Sequence, residues 1–176
     1  KSTGWIDCPD TQTHNISTCE IDLFVKNWQN LKPIDRDDVA PFKIVSFDIE
    51  TNSSTGKFPD PLVPGDACFQ IGITSRVYGC DDIVDKVCLC YKKTDARDVE
   101  WFETEKELLE AFQRTIRAID PDVMTGYNIF GFDLEYLFKR AKVCRALKFY
   151  DLGRLRNTPS ELVTKRLSSG ALGDNI

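Results

Sequence analysis

Apolar and polar positions change period several times along the chain, and each change marks an element. From residue 43 to residue 50 the run Ile44-Val45-Ser46-Phe47-Asp48-Ile49-Glu50 is apolar and β-branched with polar residues interleaved, which predicts a buried strand. Residues 52–66, rich in Ser, Pro and Gly, read as a loop. Two further strands are expected at 68–78 and 83–91, and their tight polar connections favour an antiparallel three-strand meander. A helix follows. Thr104 can cap it, Glu107 completes a capping box, and Leu108, Leu109, Phe112, Ile116 and Ile119 recur at helical spacing. Asp120-Pro121-Asp122 stops that helix, and 123–127 reads as a short strand. Strand, helix and strand in this order imply a crossover that lays the fourth strand parallel to a neighbour. The last clear helix runs from about Phe132 to Arg145. Leu134, Leu137, Phe138, Ala141 and Cys144 are expected to face inward, and Lys139, Arg140, Lys142 and Arg145 outward. Residues 1–40 are irregular, with one plausible strand at 20–25, and read as the end of a preceding domain. The domain itself occupies 41–176.

Composition narrows the class. The 176 residues are 41% hydrophobic and 29% charged, which suits one globular domain with a real core. No apolar run approaches the roughly 18 residues of a membrane span, and no signal-peptide pattern opens the chain, so no membrane partner is expected. Met124 is the only methionine, and residues 168–176 read as a loop, so the chain is read as part of something longer. The seven cysteines form no Cys-x-x-Cys pair, which argues against a zinc ribbon and for reduced thiols in an intracellular protein. On that reading the sequons at Asn15 and Asn52 are chance matches. The net charge of −5 hides an asymmetry: residues 139–176 hold nine Lys or Arg against three Asp or Glu. An acidic body with a basic C-terminal portion would suit metal chemistry joined to attraction for phosphate, although a basic helix face is more often merely solvated.

The candidate chemistry sits on the first strand. Asp48 and Glu50, two positions apart, share one strand face. Two anions side by side on a half-buried strand call for a compensating cation, and Mg²⁺ or Mn²⁺ suits hard oxygen ligands. A solvated strand edge is the plainer alternative, so the metal reading needs a third carboxylate. Asp133 supplies one. It opens the last helix behind the turn Tyr127-Asn128-Ile129-Phe130-Gly131-Phe132. A helix cap would explain Asp133 alone, but it would need neither Asn128 nor so long an aromatic-glycine turn. If the fourth strand lies beside the first, the three carboxylates converge on one cleft.

These motifs resemble those of family B DNA polymerases, of the delta-like kind found in eukaryotes and large DNA viruses. The run SFDIET at 46–51 looks like the first exonuclease motif, and DPDVMTGYNIFGFDLEYLFKRA at 120–141 looks like the longer and more specific second one. The resemblance covers roughly residues 42–145. It implies an α/β, ribonuclease-H-like mixed sheet, an antiparallel three-strand meander plus parallel strands, flanked by helices. It implies a proofreading 3′→5′ exonuclease domain that removes mismatched nucleotides from a DNA primer terminus, bound as a single-stranded 3′ end. By position, Asp48 would bridge two Mg²⁺ (or Mn²⁺) ions, Glu50 would bind the first and Asp133 the second. Asn128 would sit beside the terminal nucleotide and Phe132 would help wall the pocket. The intact protein would also polymerise DNA, with accessory subunits or a sliding clamp as partners, in the nucleus or at a viral replication site. The family's third motif, Tyr-x-x-x-Asp, is matched in letters by Tyr91 and Asp95, but these precede the second motif and lie at a strand end. The true third motif is expected beyond Ile176, so the chain alone should be weak or inactive. Two alternatives stand beside this reading: a free-standing exonuclease of the same fold, and an inactive domain that only binds nucleic acid.

Overall fold

The computed structural model describes residues 6–7, 11–163, 167–169 and 173–175. Among the described residues, four short strands precede the core: β1 (Ile6–Asp7), β2 (Thr11–His14), β3 (Asp22–Val25) and β4 (Lys32–Pro33). β1 pairs with β4 and β2 with β3, both antiparallel. Only the pairing strand near 20–25 is visible in the periodicity, because pieces this short carry no alternation to read.

The core is one five-stranded sheet built from β5 (Lys43–Thr51), β6 (Cys68–Val77), β7 (Ile83–Tyr91), β8 (Glu100–Phe102) and β9 (Val123–Thr125), in the order β8-β7-β6-β5-β9. β5, β6 and β7 form the expected antiparallel meander. β9 joins β5 in parallel, as the intervening helix requires. β8 adds a second parallel pair, with β7, that the sequence pattern did not reveal. Its three residues are too few to show a period. β10 (Leu167–Ser169) pairs antiparallel with β11 (Gly173–Asn175), where the sequence reads as a loop because pieces of three residues show no period.

Two helices cover one face. α1 (Glu105–Ile119) begins at the Thr104–Glu107 capping box and ends with Asp120 in the left-handed region. α2 is Asp133–Val143. Val45, Phe47 and Ile49 of β5 alternate with Ser46, Asp48 and Glu50, so the apolar set packs with Ile71, Ile73, Leu89, Leu108, Phe112 and Leu137. Asp48 and Glu50 therefore stand on the opposite, uncovered face, and both are exposed.

One expectation for α2 fails. Arg140, read as outward-facing, is only 2% exposed. Its guanidinium forms an ion pair with Glu105, which is also buried, at the start of α1. Arg140 Nε lies 2.8 Å from Glu105 Oε1, and Nη1 donates to the carbonyls of Pro61 and Val63 at 3.0 Å each. Helical spacing placed Arg140 among basic neighbours, but its partner lies 35 residues away in sequence, where periodicity cannot see it. Arg140→Met should cost about 3–5 kcal/mol, because it leaves the Glu105 charge buried and unpaired. Glu105→Leu combined with Arg140→Met should recover much of that loss. Urea denaturation of the three chains measures both.

The six described cysteines, Cys19, Cys68, Cys80, Cys88, Cys90 and Cys144, are free thiols. Residues 16–18 meet 154–156 through Thr18 N–H to Arg154 O and Arg156 N–H to Ile16 O, each 2.8 Å. Arg154 in turn reaches Asp120 and Asp122 at 2.7 Å. That clamp sits at the Lys43 end of β5, where Asp122 also accepts the Lys43 N–H.

Candidate active site

The site forms where β5 outruns β9. β9 pairs with β5 only from Ile44 to Ser46, whereas β5 continues to Thr51. The chain leaves β9 at Gly126, where a Cβ would collide with the Phe47 carbonyl oxygen and the Ile129 side chain. That close approach explains why the strand predicted over 123–127 stops at Thr125. The following turn is held by Gly131 N–H and Phe132 N–H donating to Asn128 O, at 2.9 and 3.1 Å. Asn128 has φ +52°, a left-handed conformation that asparagine tolerates better than most residues. Gly131 leaves room for the Asn128 side chain, which a Cβ there would strike. Asn128 thus shapes the turn as well as facing the cleft.

The turn delivers Asp133 to the unpaired edge of β5. Past Ser46 the sheet offers Ile49 no β9 partner, and Asp133 Oδ1 accepts the Ile49 N–H at 3.1 Å. A buried N–H has to be satisfied, and here a side chain from 84 residues away does it. Asp133 is not the helix cap. It is the first residue of α2, the preceding Phe132 makes no side-chain capping bond, and Asp133 is 3% exposed. Burial raises its carboxyl above the ordinary carboxylate range, the Ile49 and Asp133 amides pull it back, and the charge of Asp48 pushes it up again.

Asp48, Glu50, Asn128, Phe132 and Asp133 all line one cleft of about 510 Å³, so the structure gathers every residue expected at the site. The strand pattern predicts Asp48 and Glu50 half-buried, but both are exposed, so water solvates them and burial calls for no cation there. The desolvated carboxylate is Asp133. The β5–β6 pairing also shifts register between Glu50 and Thr51, where Phe69 of β6 is left without a partner on β5, an irregularity of the kind found beside functional sites.

Two lining residues, Phe58 and Pro59, escaped the sequence reading, and a third, Tyr127, entered it only as part of the turn. Phe58 is 78% and Tyr127 92% exposed. Phe58 meets the Phe132 ring edge-on at 5.4 Å, and Phe132 packs on Tyr136 at 5.3 Å. The available signal was the 52–66 loop itself, which is longer than a plain connection needs.

As for metals, among the described residues no three His, Cys, Asp or Glu side chains gather closely enough to hold an ion as they stand. Asp133 Oδ1 is engaged with the Ile49 N–H. The donor chemistry nevertheless fits: three hard carboxylates on two elements, open to one cleft, match what Mg²⁺ or Mn²⁺ takes.

The profile of the DNA polymerase family B exonuclease domain matches residues 1–171. A DNA polymerase of Acanthamoeba polyphaga mimivirus is 38% identical over 79% of the chain and 8% of its own length. The DNA polymerase delta catalytic subunit of Dictyostelium discoideum is 32% identical over 97% of the chain and 16% of its own length. A DNA polymerase of Paramecium bursaria Chlorella virus NY2A is 33% identical over 91% of the chain and 18% of its own length. The chain thus spans less than a fifth of each of these relatives. Together with the mixed sheet and its two helices, the match makes the fold ribonuclease-H-like.

Proposed function

The chain belongs to the DNA polymerase family B exonuclease domain family, and on that premise we propose that its cleft holds the single-stranded 3′ end of DNA and serves its hydrolytic removal. The observation that carries this is the buried carboxylate of Asp133 meeting Asp48 and Glu50 in a cleft walled by exposed aromatic rings. Asp48, Glu50 and Asp133 would hold two divalent ions, Mg²⁺ or Mn²⁺, which when bound generate the nucleophile from water and stabilise the departing oxygen.

The chain's own residues supply the rest. Phe58, Tyr127 and Phe132 offer π-faces for the last bases, a sequence-tolerant mode of binding. Asn128, fixed by its turn, presents its amide to the terminal nucleotide. Asp133, tied to Ile49, keeps the helix start against the strand that bears the other two carboxylates. Selection for a mismatched end follows from energetics: a frayed terminus costs less to unstack into a single-strand pocket. A 3′-terminal 4-thiothymidine oligonucleotide should photocrosslink to Phe58, Tyr127 or Phe132. Crosslinks confined to other surfaces would overturn the assignment.

A subsidiary reading is that this chain by itself binds the 3′ end but hydrolyses it slowly, since Asp48, Glu50 and Asp133 supply three carboxylates and the fourth that the family's third motif would bring has no counterpart after the second motif in these residues. In the longer protein, the same domain would proofread for a polymerase acting with accessory subunits or a clamp at an intracellular replication site, nuclear or viral. Among the described residues no helix is long and apolar enough to cross a membrane.

A further inference from the structure

The aromatic wall of the cleft is not carried by the elements that carry the carboxylates. Phe58 and Pro59 belong to the 52–66 loop, and nothing in that loop's own sequence gives it a regular structure. What holds it is α2. Phe132, Tyr136 and Arg140 recur every four residues and so share one helix face. Phe132 touches Phe58. One turn on, the Tyr136 hydroxyl donates to Asp66 O at 2.9 Å, where the loop ends. A further turn on, Arg140 Nη1 donates to Pro61 O and Val63 O, just past Phe58 and Pro59. The Asp66 carboxylate closes the loop from within by accepting Ser54 N–H at 2.7 Å and Asp60 N–H at 2.9 Å.

The buried Glu105–Arg140 pair lies at the base of this stack. Glu105 Oε1 also accepts the Cys68 N–H at 3.0 Å, which fixes the start of β6 where the loop rejoins the sheet. A well-packed apolar pair would hold α1 to α2 at no desolvation cost. It would not donate two hydrogen bonds to loop carbonyls. The geometry points to a role for the charge: we propose that Arg140 is a positioning residue of the cleft, holding the 52–66 loop so that Phe58 stands against Phe132 ready to receive a base. This rests on the reading of the cleft as a 3′-end site.

The test is a double-mutant cycle on the 176-residue chain. Arg140→Lys keeps a cation beside Glu105 but cannot reproduce the planar fork that serves Glu105 and two carbonyls together. The probe is a fluorescein-labelled oligothymidylate with a phosphorothioate 3′ linkage, its affinity read by anisotropy. Phe58→Ala should weaken binding about tenfold, the scale of one lost stacking contact. Arg140→Lys should weaken it comparably, and the double variant no more than either single one, since both remove the same wall. Hydrogen exchange should quicken at the Ser54 and Asp60 amides in Arg140→Lys while Ile71 and Ile73 in β6 keep their protection. Losses that multiply in the double variant would overturn the proposal. So would wild-type affinity in Arg140→Lys, or exchange that quickens equally in loop and sheet. If the wild-type chain fails to bind the oligonucleotide, the 3′-end reading falls with it, and the proposal with both. If it binds and only the loop exchange stays unchanged, the 3′-end reading stands and the role of Arg140 falls.

Discussion

Asp133→Asn is expected to raise the melting temperature of the chain at neutral pH while removing the hydrolysis proposed for its cleft. The asparagine Oδ1 can still accept the Ile49 N–H, so the link between α2 and β5 survives. What disappears is a desolvated carboxylate beside Asp48. Burial holds the Asp133 proton to higher pH in the folded chain than in the unfolded one, so wild-type stability falls as pH rises through that raised value. The advantage of the variant should therefore be full above that point and vanish at acid pH, below the ordinary carboxylate value of about 4. Each kcal/mol gained corresponds to a melting shift of roughly 2–4 °C in a chain of this size. Mg²⁺ should raise the wild-type melting temperature and leave the variant nearly unmoved, because only a native state that binds the ion gains from it. A variant that melts lower at every pH would show that Asp133 is a structural carboxylate.

The second large effect concerns Asp48 and Glu50 together. In a longer polymerase carrying this domain, Asp48→Ala with Glu50→Ala should cut release of nucleotides from a mismatched primer by about 10³-fold or more, on the scale of losing electrostatic stabilisation of a transition state. Incorporation of correct nucleotides should be unchanged. Both side chains are exposed, so stability should stay within about 0.5 kcal/mol of wild type. Undiminished release by the double variant would refute the assignment.

These two predictions differ because one strand and one helix start present their carboxylates to different surroundings, and only part of that difference was legible in the sequence. The alternation in β5 shows that Asp48 and Glu50 share a face. It does not show that the face is uncovered, so their burial was misjudged. The crossover rule placed β9 parallel to β5 and so brought Asp133 to the right end of the sheet. The reason it is buried, an N–H of Ile49 left over where β9 stops, depends on a glycine meeting a backbone carbonyl and has no sequence signature. Arg140 fails the same way. Its row of basic neighbours says solvent, and its long-range partner Glu105 says core. Phe58 lies in a loop with no period at all, and its place at the cleft follows from hydrogen bonds to α2 that join residues 70 and 79 positions apart.

Joint action of Asp48, Glu50 and Asp133 on a divalent ion is the proposal on which the rest depends. Electron paramagnetic resonance of Mn²⁺ titrated into the wild-type chain and into Asp48→Ala with Glu50→Ala tests it most directly. The account predicts saturable loss of the free Mn²⁺ signal with wild type, competed by Mg²⁺, and none at matching concentrations with the variant. Equal Mn²⁺ binding by the two chains would contradict it.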